Sequence, residues 1–288
     1  MAAAASSVAA QEPGFLKLLL ARRSVLVALI VFVAVVAVCV LAPLVAPADP
    51  MKMSVRARLS PPFGAYLLGA DPFGRDVASR LLYAGRVSLV IGAGVALLST
   101  VVGVMIGLLA GFYRRLDGPL SRLIDAMMAF PDILLSIALV SILGGSMVNV
   151  IIALSIVYAP RFARIGRAST LVIRELPFVE AARALGSSTR YIIANHILRN
   201  IVSPIIVQAT FIFAYAMLAE AGLSFLGVGV DPSTPTWGTM INEGRQYIDQ
   251  AAFLIFFPGI AISVSVLSLQ LIGDGLRDAL DPRLAREL

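Results

Sequence analysis

The sequence predicts an all-α integral membrane protein with six transmembrane helices. Of its 288 residues, 59% are hydrophobic and 14% are charged, whereas a soluble globular domain carries about 25% charged residues. A helix needs about 20 mainly apolar residues to cross a bilayer. Three stretches reach this length without a charged residue: 25–46, 87–112 and 251–273. Composition and span length together exclude a soluble globular protein.

The remaining spans are predicted from two further apolar stretches. Segment 201–226 forms a fourth span, interrupted only by Glu220. The uncharged run 133–160 contains Gly144-Gly145-Ser146, a composition typical of a turn. We therefore expect a hairpin of two helices there, 123–143 and 148–168. Six spans result, and both chain ends lie on one side of the membrane.

The basic residues predict the orientation, because Lys and Arg in short loops favour the cytoplasmic side. Sixteen of the 23 Lys and Arg residues lie before position 25, in 113–125, in 161–199 and after 275, and the other seven lie in 47–86 and 227–250. Both termini and the loop between the predicted helices 148–168 and 201–226 are therefore expected to be cytosolic. This asymmetry accounts for the net charge of +6 without a nucleic-acid partner, so lipid is the expected surrounding.

The predicted organisation has five parts. These are a cytosolic tail (1–24), the first transmembrane helix (25–46), an outer segment with an interfacial helix (47–86), the membrane core (87–275, with a cytosolic loop at about 161–200) and a cytosolic tail (276–288). The interfacial helix is expected from Asp76 onward, because Val77, Leu81 and Leu82 alternate with arginines there.

The first span is expected to stay in the mature protein. A cleaved secretory signal has an apolar core of 7 to 15 residues, which 25–46 exceeds. Its Cys39 is the only cysteine of the chain, so no intramolecular disulfide is possible. The only histidine, His196, cannot build a metal site alone, and no metal site is predicted.

A short charged segment between two spans, Glu180-Ala181-Ala182-Arg183-Ala184-Leu185-Gly186, is the most informative part of the sequence. Glu and Ala favour helices, and Gly186 is followed by Ser187-Ser188-Thr189 and a second helical run. The segment is therefore expected to form a helix, a turn and a helix across one membrane face. Such a shape suits a docking element.

Four motifs in order along 25–283 extend this observation. They are LGADPFGRD at 68–76, EAA with a later glycine at 180–186, LSFLG with TWG at 223–238, and GDGLRDALDPR at 273–283. This pattern resembles the permeases of ATP-binding-cassette (ABC) importers, in the branch that carries dipeptides, oligopeptides and nickel. It is most similar to the second, C-type permease subunit of such systems.

The resemblance implies a type I ABC importer permease fold in a bacterial inner membrane. It implies three kinds of protein partner: a homologous second permease, two ATPase subunits and an extracytoplasmic substrate-binding protein. ATP and Mg would be bound by the ATPases. In the docking segment, Glu180 would supply a charge partner, Ala181 and Ala182 close apposition, and Gly186 the turn, with Arg183 and Ser187 beside them. The cargo would be a dipeptide, an oligopeptide or a related small solute such as glutathione or a nickel chelate.

Catalysis by the chain itself is not expected. A phosphate-binding P-loop needs a Gly-Lys pair, and the two lysines, Lys17 and Lys52, follow Leu and Met. One histidine, one cysteine and scattered serines give no triad. No cofactor is predicted in this chain.

A proton- or ion-coupled secondary transporter is the alternative, because acids within spans mark ion pathways. Asp132 and Glu220 are its candidates, and both are also candidates for the path of a permease. Asp132 follows Pro131 and is expected to cap the start of a helix and pair with Arg161 or Arg164. Glu220 lies either in water near the end of its span or at the mouth of a path, where it would meet the amino end of a peptide.

Close packing is predicted where Gly103, Gly107 and Gly111 recur at every fourth position. Small residues at this spacing let another backbone approach. We expect this stripe to pack within the subunit. Pro131 and Pro258 are expected to kink their helices or to lie near helix starts.

Overall fold

The computed structural model describes residues 22–280, and its regular secondary structure is helical, with turns and irregular chain at 46–54, 58–76 and 226–236. No β-strand occurs among these residues, where a single isolated bridge joins Ala70 to Asp76. Five helices are long and apolar enough to cross a membrane, and there are six spans if the bent pair Arg114–Met128 and Asp132–Leu143 is counted as one. The predicted fold class is therefore confirmed. Of the predicted tails, 1–21 and 281–288 lie outside the described residues.

The main helices are, in chain order, α1 Arg23–Val40, α2 Val77–Phe112, α3 Arg114–Met128, α4 Asp132–Leu143, α5 Met147–Ile173, α6 Pro177–Ala184, α7 Arg199–Phe225, α8 Trp237–Gly244 and α9 Phe253–Leu280. Short helical pieces lie between them, at Ala42–Val45, Val55–Ala57, Thr189–Tyr191, Ile192–Leu198, Arg245–Tyr247 and Ile248–Ala251. Helices α1, α7 and α9 cover most of the predicted spans 25–46, 201–226 and 251–273.

The predicted continuous helix 123–143 is wrong. Helix α3 ends at Met128, α4 begins at Asp132, and the two helix axes differ by 95°. Pro131 stands at the N-cap of α4 in an extended conformation, and it lacks the N–H that a continuing helix would need. The sixth span is therefore broken, and α4 alone contributes only 12 residues to it.

The predicted interfacial helix is also different in the structure. It forms the first turns of α2, which runs without a break for 36 residues from Val77. The Asp76 side chain caps this helix by accepting a hydrogen bond from the Ser79 N–H at 2.7 Å. Val77 and Arg80 are buried rather than spread on a membrane surface. Helix α2 thus begins inside the protein.

Arg80 can be buried because it belongs to a group of paired charges. We call Asp71, Arg75, Arg80 and Glu243 the ionic cluster. The Arg80 Nη1 atom lies 2.6 Å from an oxygen of both Asp71 and Glu243. Arg75 donates to the same two carboxylates, at 2.5 Å and 2.9 Å. Two cations and two anions balance, and this matters because a buried charge without a partner is strongly destabilising.

Helices α2 and α5 run side by side in the same direction and approach closely at the glycine stripe. A Cβ atom on Gly107 would lie 2.6 Å from the Ala163 carbonyl oxygen of α5, and one on Gly111 would lie 2.6 Å from Thr170 Cβ. Gly103 likewise abuts Ala159. The predicted packing within the subunit is confirmed.

Both ends of the described chain lie at the same end of the bundle. Arg22 forms an ion pair with Asp278, and Arg277 lines a cavity with Ser203 and Pro204 at the start of α7. At this end Arg174 also donates to the Gly111 carbonyl oxygen at 2.6 Å. We call this end the Glu180 face, and the end that carries the ionic cluster the opposite face.

The packing of α2 on α5 generates a first prediction. Gly107→Ala should destabilise the chain by about 1–3 kcal/mol, because the added methyl group overlaps the α5 backbone. The measurement is the melting temperature of the purified chain in detergent. Gly259→Ala is the matched control, because Gly259 is also inside a membrane helix and a Cβ atom there meets no atom within 4 Å. Equal melting temperatures for the two variants would contradict the close contact.

Candidate functional site

The segment around Glu180 has the predicted shape of a helix, a turn and a helix. Helix α6 begins with Pro177 at its first position, where the missing proline N–H is not needed. It ends in a Schellman motif, in which the Ser187 N–H donates to the Ala182 oxygen and the Gly186 N–H to the Arg183 oxygen, each at 3.0 Å. Gly186 has φ +79°, a conformation that glycine adopts without strain.

One side of α6 packs on the protein and the other is open. Val179 and Ala182 are buried against the ends of α2 and α5 and against the chain that leads to α7. Seven residues of 177–185 are exposed, and four of them lie together on one side of the helix: Glu180, Ala181, Ala184 and Leu185. We call these four residues the docking face. Glu180 makes no ion pair with any residue in 22–280, so its charge is available.

The structure distributes the predicted docking residues differently from the sequence pattern. Ala182 points inward, and the guanidinium of Arg183 lies 5.5 Å from the centre of the Phe112 ring of α2. Ser187 contributes through its backbone to the helix end. Leu185, which sequence reasoning did not select, is 86% exposed and is the largest apolar group of the docking face. Positions 180, 181, 184 and 185 share one face of a helix, and this spacing could have identified Leu185 from the sequence.

A π-helix, Ile192–Leu198, connects this segment to α7. Its His196 ring lies 5.8 Å from the Phe178 ring of α6 and 5.6 Å from the Tyr191 ring. These aromatic contacts hold α6 against the π-helix that leads into α7. Helix α7 follows without a break, so the chain from Thr189 to Phe225 forms a single 37-residue helical run.

Asp132 lies at a helix start and next to an arginine, as predicted, but it does not cap the helix, because Pro131 holds the N-cap position and no side chain makes a capping hydrogen bond there. It is the first residue of α4 and forms an ion pair with Arg161 of α5. The Arg161 guanidinium also lies over two tyrosine rings, 5.1 Å from Tyr158 and 5.4 Å from Tyr215. Asp132 and both tyrosines line a cavity of about 230 Å³ between α4, α5 and α7.

Arg161 is the first of three arginines on one face of α5 that pair with the bent span. Arg164 lies 2.8 Å from Asp125, and the Arg167 Nε atom lies 2.5 Å from Asp117. These three ion pairs fasten α3 and the start of α4 to α5. Only the Arg161 pair is adjacent to the cavity.

Glu220 is not exposed to water, so that expectation is wrong. Its side chain is fully buried, and its carboxylate accepts hydrogen bonds from Ser224 and Thr236 at 2.8 Å each and from Ser88 at 3.4 Å. The cause is α8, which folds back over the end of α7. The indole N–H of Trp237 holds α8 there by donating to the Leu81 oxygen at 3.0 Å.

The geometry gives no support to an ion relay. No hydrogen bond or ion pair within 22–280 connects Asp132 with Glu220, since one pairs with Arg161 and the other with three hydroxyl groups. The same residues contain no group of three or more His, Cys, Asp or Glu that could hold a metal ion.

The opposite face carries a cavity of about 500 Å³. It lies between the turn 144–146 and the chain after α7, which are joined by a 2.7 Å hydrogen bond from the Asp231 N–H to the Gly145 oxygen. Hydrogen bonds from Ser233 to the Asp231 carboxylate lower the pKa of that group. The rim of this cavity is therefore negatively charged at neutral pH.

Comparison with known proteins identifies the family. Residues 103–286 match the model of the binding-protein-dependent transport system inner membrane component, and residues 14–62 match the N-terminal transmembrane domain of oligopeptide transport permease C. A peptide transport system permease protein of Brucella suis is 51% identical over 93% of this chain and 91% of its own length. The di/tripeptide transport system permease protein DppC of Pseudomonas aeruginosa is 43% identical over 88% and 87%.

A glutathione transport system permease protein, GsiD of Pectobacterium atrosepticum, is 43% identical over 77% of this chain and 74% of its own length. Among solved structures, the inward-facing MetNI methionine ABC transporter matches with a TM-score of 0.56 at 20% identity, covering 72% of this chain and 95% of the matched chain. That likeness shows the type I permease fold. The chain therefore belongs to the family of binding-protein-dependent transport system inner membrane components and is a multi-pass permease subunit of the ABC importer class.

Proposed function

We propose that this subunit forms half of the translocation path of an ATP-driven importer for dipeptides or short oligopeptides. The names of the relatives support this cargo, since they include peptide, di/tripeptide and glutathione permeases. The observation that carries the proposal is the docking face on α6, which offers an unpaired carboxylate and an exposed leucine at one end of a membrane bundle. A permease needs such a surface to receive an ATPase.

The proposed assembly contains a homologous second permease, two ATPase subunits and an extracytoplasmic substrate-binding protein. ATP and Mg would be bound by the ATPases, and this subunit would have no catalytic role. The Glu180 face would lie in the cytosol, which agrees with the excess of Lys and Arg in the loops at that end. The opposite face would receive the binding protein.

In the proposed coupling mechanism, the exposed side of α6 binds the ATPase and its buried side packs against this subunit. Glu180 pairs with a cation of the ATPase, Ala181 permits close approach, and Leu185 fills an apolar pocket. Movement of α6 is passed to the ends of α2 and α5 through the buried Val179 and Ala182, and to α7 through the π-helix. Gly186 fixes the angle at which α6 meets the following helix.

For the path itself, we propose that Asp132 contacts the route of the cargo from the cavity between α4, α5 and α7. Glu220, the second candidate, reaches the path only when α8 moves away, because α8 covers it. In the closed arrangement Glu220 joins α7 to α8 and α2 through the three hydroxyl groups that it binds.

Purification of the tagged chain from membranes in mild detergent, followed by mass spectrometry, tests the assembly. Recovery of a second six-span permease and one or two ATPases is the expected result. Recovery of the chain alone, as an oligomer that transports cargo by itself, would contradict the proposal.

Gly186→Asp should reduce the recovered ATPase about tenfold or more while the chain still inserts. A Cβ atom at Gly186 meets nothing within 4 Å in this chain, so beyond the backbone strain of its positive φ, which the control shares, steric overlap arises only against a partner, where it costs about 1–3 kcal/mol. Gly227→Asp is the matched control, because Gly227 has φ +81°, is equally unobstructed and lies at the opposite face. If both variants retain the ATPase equally, α6 is not the docking element.

Glu220→Leu should destabilise the chain by about 1–3 kcal/mol, because it leaves the buried hydroxyl groups of Ser224 and Thr236 without their acceptor. Glu220→Gln keeps an acceptor oxygen and should melt near the wild-type temperature. Both variants can be compared by thermal melting in detergent. A selective loss of uptake of uncapped peptides by Glu220→Gln would place this residue on the path instead.

A further inference from the structure

The ion pair of Arg161 with Asp132 lies inside the membrane. Arg161 is preceded by 14 and followed by 12 residues of the 27-residue helix α5, which correspond to about 21 Å and about 18 Å of helix. The hydrocarbon core is about 30 Å thick, so in a bilayer centred on α5 this residue lies within the core rather than in the cytosolic loop expected from the sequence.

The pair is nevertheless open on the surface of this chain. The side chains of Arg161 and Asp132 are 30% and 41% exposed, and Tyr215 beside them is 43% exposed. Charged groups at such depth face a water-filled route or another protein chain, because lipid does not solvate them. This surface of α4, α5 and α7 therefore does not face lipid.

Two opposite charges stand side by side at this point. A guanidinium offers up to five N–H donors and matches a carboxylate with two parallel hydrogen bonds. The hydrogen bonds described for Arg161 use one of these donors, for Asp132. The Asp132 carboxylate in turn suits an ammonium group, and the Tyr158 and Tyr215 rings form an amphipathic wall beside both.

Resting on the peptide cargo proposed above, we infer that Arg161 and Asp132 bind the two charged ends of the peptide during its passage. The cargo carboxylate pairs with Arg161, and the cargo ammonium group pairs with Asp132. Their mutual ion pair is exchanged for two ion pairs with the cargo, so the number of paired charges never falls.

This exchange selects for cargo that carries both charges. A cargo with only one charged end would leave either Arg161 or Asp132 unpaired inside the membrane, which is strongly unfavourable. The cavity of about 230 Å³ is smaller than the range of about 300–1,000 Å³ typical of complete ligand sites. It therefore holds part of a small peptide, and the second permease completes the site.

The test uses the complete importer with its binding protein, reconstituted in liposomes. Initial uptake is measured for alanyl-alanine, its C-terminal amide and its N-acetyl derivative, each at concentrations where the wild-type complex gives measurable uptake. Each variant rate is divided by the wild-type rate for the same compound. This ratio removes the preference of the binding protein, because that protein is the same in every sample.

Arg161→Gln should lower the ratio for alanyl-alanine at least tenfold and should not lower the ratio for the amide, because it removes the charge that the amide leaves unpaired. Asp132→Asn should lower the ratio for alanyl-alanine and should not lower the ratio for the N-acetyl compound, for the same reason. Arg161→Lys keeps the charge and should give an intermediate ratio for alanyl-alanine. It also provides a variant for analysis where Arg161→Gln does not assemble.

Arg164→Gln and Asp125→Asn are the matched controls, because this pair joins the same helix α5 to the bent span but lies outside the cavity. Both should give ratios near one for all three compounds. Equal losses for all compounds in Arg161→Gln or Arg161→Lys would mean that the pair only fastens α4 or contacts the second permease, and ratios of one would mean no role. Either result overturns the inference. Failure of the wild-type complex to take up any peptide would instead reject the proposed cargo.

Discussion

The close contact of α2 with α5 at three glycines is the constraint on which the rest of the structure depends. Because Gly103, Gly107 and Gly111 have no side chains, the two parallel helices approach until α2 touches the α5 backbone. This contact sets the height at which α5 presents its three arginines to the bent span. It also brings the ends of α2 and α5 together, where they form the floor on which α6 packs.

Two helices, α5 and α7, connect the docking face with the cavity of about 230 Å³. Helix α5 carries Arg161 at its middle and ends beside α6, where Arg174 bonds to the last turn of α2. Helix α7 carries Tyr215 and begins in the π-helix that contacts α6 through His196. In the proposed coupling, α5 and α7 would therefore carry movement of α6 to the cavity that they line together with α4.

Composition and local spacing were enough to predict the all-helical membrane fold, the glycine contact and the turn at Gly186, because each depends on residues close together in sequence. The features that were missed depend on distant partners. Arg80 reads as a surface arginine until Glu243, 163 positions later, is placed beside it. Glu220 reads as an exposed acid until Thr236 and α8 cover it. Leu185 is exposed and Ala182 is buried because α6 packs one side against the ends of α2 and α5, which are distant in sequence.

The ionic cluster can close only late in the synthesis of the chain, because its residues are far apart in sequence. Asp71, Arg75 and Arg80 leave the ribosome early, but Glu243 follows only after four further membrane segments have been made. Until then the nascent protein carries two arginines at the start of α2 with a single carboxylate between them. Closure of the cluster therefore requires α8 to reach the start of α2, and a chain that ends before α8 lacks the second carboxylate of the cluster.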